Sequence, residues 1–112
     1  MTQKRDTPYV CGIDAAIDVV GGKWKVLILW ELSDGPRRFA QIHRSLTPVS
    51  EKVLNQHLRQ LEADKIISRT VYPEVPPKVE YELTEPGKEL GVALEPLGLW
   101  GRKHRWPMIE PH

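Results

Sequence analysis

Four polar residues with helical spacing form the part of this sequence best suited to recognition chemistry. In the segment SEKVLNQHLRQLEAD, Lys52, Asn55, Gln56 and Arg59 stand at positions i, i+3, i+4 and i+7, so they share one face of a helix. Arg and Lys donate hydrogen bonds to guanine, and Asn and Gln pair with adenine. The stripe therefore predicts a helix that reads base edges in DNA, with an ordinary solvent-exposed helix face as the alternative.

Residues before this stripe are candidate phosphate contacts. Ser50 is a good N-cap for the helix, so its hydroxyl and the helix N-terminus can both face a phosphate. Arg37 and Arg38 lie on the approach to the same unit. A short helix over about residues 39–46 ends at a Thr-Pro-Val break, and two helices joined by three or four residues are typical of a helix-turn-helix unit.

The segment RTVYPEVPPKVEYELT, which follows this unit, indicates a stiff β-hairpin. Residues 68–72 and 79–83 have strand patterns, and the second strand alternates between apolar and acidic residues. Three prolines between the strands restrict the loop before any binding, which lowers the entropy lost on docking. The loop presents Lys78, and Arg69 flanks it, as expected of a wing that contacts DNA. The alternative is a hairpin whose prolines only prevent pairing between sheet edges.

Three further helices complete the predicted order of helix, helix, helix, helix, hairpin, helix. One begins at Cys11 and stops at a Gly-Gly pair, one spans the almost wholly apolar residues 23–32, and one follows Thr84. Three of the four tryptophans lie in segments with a helical pattern, and these three are expected to pack in the core: Trp24, Trp30 and Trp100.

Charge and composition narrow the function classes. Residues 37–78 hold eight basic and four acidic side chains, a net charge of +4, whereas the whole chain carries +1. Positive charge is thus concentrated on the segment predicted to meet DNA. No apolar run is long enough for a membrane span, and the single cysteine excludes an intramolecular disulfide, so a cytoplasmic location is expected.

An enzyme is not expected, because no set of residues supports catalysis or a cofactor. There is no glycine-rich phosphate loop, and no catalytic triad or carboxylate pair can be argued from the spacing. The histidines lack metal-ligand spacing with Cys11 or with one another, so neither a metal nor a cofactor is predicted: His43, His57, His104 and His112. His57, on the flank of the predicted reading helix, suits partial packing or a phosphate contact.

Several of these segments together resemble the HxlR family of bacterial winged helix-turn-helix transcription regulators. The resemblance covers about residues 11–101 and is carried by Gly-Lys-Trp at 22–24, Gly-Pro-Arg-Arg-Phe at 35–39, LRQLEAD at 58–64 and YPEVPPKVEYEL at 72–83. It implies a homodimer that binds operator DNA through the helix after Ser50 and the wing. It also implies dimer contacts from the first and last helices, whose candidates are Ile13, Ile17, Leu94, Leu97 and Trp100.

Cys11 is a candidate redox sensor, because some members of the family use a cysteine at this place. A helix-start position favours the reactive thiolate. The family cysteine is usually followed by proline, whereas Gly12 follows here. The alternative is a small apolar residue packed at the dimer interface.

The sequence thus predicts a mainly α protein with a small β-hairpin, an α+β winged helix-turn-helix fold. Residues 1–10 are an N-terminal arm, 11–101 the domain with its dimerisation helices, and 102–112 a C-terminal tail. The predicted function is sequence-specific transcription regulation, with helix 50–64 in the major groove and wing 72–79 on the backbone or in the minor groove. The alternative is a winged-helix protein-interaction module without DNA binding. Double-stranded operator DNA and a second copy of the chain are the expected partners, and a small-molecule inducer of undefined identity is a further candidate.

Overall fold

The computed structural model describes residues 7–105, which form five helices and three short strands. Residues 1–6 and 106–112, which include His112 and most of the predicted arm and tail, lie outside the described residues. The elements are α1 (Gly12–Val20), α2 (Lys23–Leu32), β1 (Arg37–Arg38), α3 (Phe39–Ser45), α4 (Glu51–Ala63), β2 (Ile67–Tyr72), β3 (Lys78–Leu83) and α5 (Glu85–His104).

Helix α4 begins and ends at residues that satisfy its free backbone groups. The Ser50 hydroxyl oxygen accepts a hydrogen bond from the Val53 N–H at 3.1 Å, as expected of an N-cap. After the C-cap Asp64, the next two N–H groups donate back to helix carbonyls at 2.9 Å, which makes a Schellman motif. Lys65 adopts a φ of 62° in this motif, a conformation that usually requires glycine. The predicted extent of this helix is confirmed.

The sheet has three antiparallel strands in the order β1-β3-β2, so the predicted hairpin gains a third strand. Sequence patterns gave no sign of β1, because its two residues are too few to show alternation. β1 is defined by its partner, since Arg37 lies opposite Tyr81 and Arg38 lies opposite Glu80. Neighbouring residues of a strand point to opposite faces. The outer face, away from buried Tyr81, therefore carries Arg38, Ser68, Thr70, Tyr72, Lys78, Glu80 and Glu82.

The core lies where α2, α4 and the inner face of the sheet meet. Its fully buried side chains are Ile28, Leu29, Ile42, Leu54, Leu58, Leu61 and Ile67. Lys25 is also buried, at 6% exposure, which the apolar reading of α2 did not predict. Core packing was predicted for three tryptophans, and this is wrong for two: Trp24 packs on the core, but Trp30 is 69% exposed and Trp100 is 55% exposed.

Helix α5 is anchored at its start and exposed along much of its length. The Thr84 N–H donates to the Ile66 carbonyl at 3.0 Å, and the Thr84 hydroxyl oxygen accepts from the Gly87 N–H at 3.2 Å. A Cβ on Gly87 would lie 2.1 Å from the Ile66 carbonyl oxygen, so only glycine permits this approach. The helix continues to His104, three residues into the segment predicted as a tail. Among residues 7–105, the helices are too short or too polar to span a membrane.

Candidate nucleic-acid interface

The four stripe residues of α4 are placed on the side of the helix that faces away from the core. Lys52, Gln56 and Arg59 are exposed, Asn55 is half-buried, and the leucines opposite them are buried. Three of the four predicted side chains are therefore exposed on the surface and can contact a ligand. Their arrangement matches a recognition helix, because the apolar face fixes α4 and the polar face meets solvent.

The turn before α4 is held by buried apolar residues and by a histidine. It consists of the five residues 46–50, where three or four were expected, and Leu46 and Val49 are buried within it. His43 Nε2 lies 2.8 Å from the Val49 carbonyl oxygen, and the His43 ring stacks on Phe39. Ser50 is exposed at the end of this turn, so its hydroxyl proton is available to a phosphate.

Arg37 and Arg38 do not share a direction, although the sequence placed both on the approach to the helix pair. Arg37 is half-buried on the inner face, and its Nη1 donates to the Pro36 carbonyl at 3.0 Å. Arg38 is exposed on the outer face, opposite Glu80. Its backbone N–H donates to Gln41 Oε1 at 2.8 Å, which fixes the start of α3. The alternation of a strand separates them.

The β2–β3 hairpin forms the predicted wing. Its two cations, however, lie on opposite faces of the hairpin, and the one expected to be presented by the loop is partly buried. Arg69 is exposed and shares the register of Tyr81 on the inner face. Lys78 is partly buried on the outer face, with its Nζ 3.9 Å from Glu80 Oε2 and 4.4 Å from the centre of the Tyr72 ring. The tip holds no basic residue, and its Val75 is fully exposed.

Tyr72 completes a cluster with these two charged residues. Its hydroxyl donates to Glu80 Oε1 at 3.3 Å. The negative charge of Glu80, ahead of burial and the other nearby carboxylates, raises the pKa of Tyr72 above its ordinary value. The hydroxyl therefore stays protonated at neutral pH and remains a donor.

His57 is half-buried on α4, with one ring nitrogen inaccessible to water. Nδ1 is buried, and no hydrogen-bond partner for it is found among the described residues. Burial first, and then the positive charge of buried Lys25, lower the pKa of His57, while a hydrogen bond with Gln60 opposes them. Of the roles expected from sequence, partial packing is the one that this position supports.

We expect acid to weaken the fold through this histidine. Because its pKa is below 6.5 in the folded chain, the unfolded chain binds more protons as the pH falls through that value. The contribution of His57 to folding stability is therefore complete above pH 6.5, and it falls as the pH decreases from 6.5 to the lowered pKa of His57 in the folded chain. The urea midpoint should fall between neutral and mildly acidic pH, and the fall should be smaller in His57→Gln. Equal falls in both proteins would exclude His57 as the cause.

Cys11 and the predicted dimerisation residues lie on or beside the terminal helices. Cys11 is exposed at the N-cap of α1, with a free thiol. Ile13 is 73% exposed and Ile17 58% exposed on α1. On α5, Leu97 and Trp100 are more than half exposed, whereas Leu94 packs partly against the core. Sequence reasoning missed two more exposed apolar residues of α5, Val92 and Leu99.

A shallow cleft of about 340 Å³ lies beside the turn after α2. It is lined by Leu32, Ser33, Asp34, Gly35, Pro36, Glu82, Leu83 and Lys88. No tryptophan is among these lining residues.

These elements define a winged helix-turn-helix protein, because the α3–α4 pair carries an outward polar stripe and is followed by a projecting hairpin. Within this class, the chain belongs to the HxlR-like helix-turn-helix family, whose model matches residues 19–108. Its relatives are transcriptional regulators and not enzymes.

Two relatives show how closely the chain follows this family. It is 46% identical over 96 residues to the uncharacterized HTH-type transcriptional regulator YtcD of Bacillus subtilis, covering 86% of this chain and 76% of that protein. It is 44% identical over 99 residues to an uncharacterized HTH-type transcriptional regulator of Methanothermobacter thermautotrophicus, covering 88% and 76%. Since the second organism is an archaeon, the family is not confined to bacteria.

Solved structures show the same fold. The redox regulator HypR in its reduced form superposes with a TM-score of 0.82 at 39% identity, covering 88% of this chain and 97% of that one. The reduced form of the transcriptional regulator YodB from Bacillus subtilis gives a TM-score of 0.76 at 35% identity, covering 88% and 97%.

Proposed function

We propose that this HxlR-like regulator binds operator DNA as a homodimer in the cytoplasm. Helix α4 enters the major groove with Lys52, Asn55, Gln56 and Arg59 toward the bases. Ser50, Arg37, Arg38, Arg69 and Lys78 contribute phosphate contacts, and the wing lies on the backbone or in the minor groove. The observation that carries the proposal is the exposed polar stripe on a helix whose opposite face is buried.

The exposed apolar residues of α1 and α5 support the homodimer. A monomer in solution rarely leaves so many large apolar side chains exposed on its terminal helices. A two-fold dimer would bury each of them twice, once from each protomer. It would also present two α4 helices, whose separation must match about one DNA turn, roughly 34 Å.

The rival function is a winged-helix module that binds another protein and not DNA. Duplex DNA from the region adjoining the chain's own gene, compared with a random-sequence duplex, separates the two. For the regulator, we expect tighter binding to the first duplex. We also expect a slope of log K against log salt steeper than about −3, as several phosphate contacts require. Binding that ignores salt and sequence would support the rival. Footprinting on the same DNA would then locate the operator.

We further propose that oxidation or alkylation of Cys11 controls operator binding. The thiol is exposed at the start of α1, and the structural relative HypR is a redox regulator. A change at α1 would alter the angle between protomers if α1 lies in the dimer interface. After mild diamide or quinone treatment, wild type should lose operator affinity and Cys11→Ser should keep it. If both proteins lose affinity alike, or wild type keeps it, Cys11 is a packing residue and not the switch.

A further inference from the structure

The cation nearest the tip of the wing, Lys78, forms an ion pair with a carboxylate on the same strand, Glu80. Lys78 and Glu80 are two residues apart on β3, so their side chains share the outer face. Lys78 Nζ lies 3.9 Å from Glu80 Oε2, and the two side chains are only 25% and 26% exposed. Tyr72, opposite Lys78 on β2, holds both of them: its ring lies under the ammonium group and its hydroxyl donates to Glu80.

This cluster matters because Lys78 is the basic residue nearest the wing tip. Residues 73–77 contain Glu74 and no lysine or arginine. Arg69 lies on the other face of the hairpin, because it shares the register of Tyr81 and not that of Glu80. Any phosphate that approaches the outer face near the tip therefore meets Lys78 and Glu80 together.

We propose that Glu80 is a positioning residue that limits the affinity of the wing for DNA by competing with phosphate for Lys78. The inference rests on the proposed DNA binding. To reach a phosphate, the ammonium group must leave a carboxylate for another anion, so the exchange gains little. The carboxylate then lies unpaired near the phosphate, and like charges within a Debye length repel.

The test compares Glu80→Gln with Glu82→Gln on a fluorescent random-sequence duplex, because phosphate contacts do not depend on sequence. Gln at position 80 removes the charge but can still accept the Tyr72 hydroxyl hydrogen bond. Glu82 is exposed on the same strand and face, about 13 Å along the strand from Lys78, so its variant controls for the general loss of one negative charge. We expect Glu80→Gln to bind about two- to fivefold tighter than Glu82→Gln. Its salt slope should be steeper by up to about one unit.

The same measurements in a Lys78→Ala background decide whether Glu80 acts through Lys78. There, most of the advantage of Glu80→Gln over Glu82→Gln should vanish, because only the direct repulsion between Glu80 and phosphate remains. If the full advantage persists without Lys78, or if the two Gln variants bind alike in the wild-type background, the inference is wrong while DNA binding stands. A wild type without salt-dependent duplex binding would overturn the proposed function and this inference together. Unchanged thermal unfolding of both Gln variants would show that the hairpin is intact.

Discussion

Leu97→Glu is expected to convert the proposed homodimer to monomers and to lower operator affinity by about 10²–10⁴-fold. Leu97 is 64% exposed on α5, in a stretch where every residue from 95 to 100 is exposed. Burial of a leucine in an interface contributes about 1.5–3 kcal/mol, and two-fold symmetry uses each residue twice. The glutamate removes both contributions and places two charges in an apolar contact. Once separate, the protomers lose the effective concentration that joins two half-site contacts.

Mass measurement in solution reads this result directly. A monomer has 12.9 kDa, and wild type should have twice that mass. Val75→Glu is the matched control, because it adds the same charge at a fully exposed apolar residue on the wing and should leave the mass unchanged. Ile17→Glu tests whether α1 shares the interface. A wild type with the mass of one chain would overturn the dimer, and a Leu97→Glu protein that stays dimeric would remove α5 from the interface.

The helix-turn-helix pair and the hairpin could be predicted from sequence because each has a local signal. For α4, the signals are an N-cap at Ser50 and leucines at helical spacing, and the hairpin is marked by alternation in β3. The two residues of β1 have no such signal, because their pairing depends on a strand more than 40 residues later. Likewise, Arg102, Lys103 and His104 looked like a solvated tail but extend α5, where positive side chains favour the C-terminal end of the helix dipole.

Side-chain environments were harder to predict than elements, since they depend on which helix covers which. Periodicity placed Trp30 and Trp100 on helices but could not show that they stay more than half exposed in the described part of the chain, residues 7–105. The apolar pattern of α2 gave no expectation for the environment of Lys25, which the packing of α2 buries. The pairing of Lys78 with Glu80 did have a signal, because alternation places residues two apart on one face of a strand.

Arg59→Ala is expected to lower operator affinity by roughly 1–3 kcal/mol and to relax preference at one base pair. Arg59 is exposed on the polar face of α4, one helical turn after Gln56. Gln56→Ala is expected to change affinity and preference in the same way. The reason is that a bidentate pair with a base edge exists only on the right sequence. The measurement is binding to the operator and to duplexes with single substitutions at each position.

A second substitution separates base reading from simple charge. Arg59→Lys keeps the positive charge but loses the planar fork that matches guanine, so it should retain most binding to random DNA while losing preference for the operator. Lys103→Ala, which removes a charge at the exposed C-terminal turn of α5, should leave the preference unchanged. If Arg59→Ala weakens binding to random and operator DNA equally, and Arg59→Lys restores both, the arginine contacts phosphate. Recognition of the DNA bases would then be expected from the other residues of the polar face of α4, Lys52, Asn55 and Gln56.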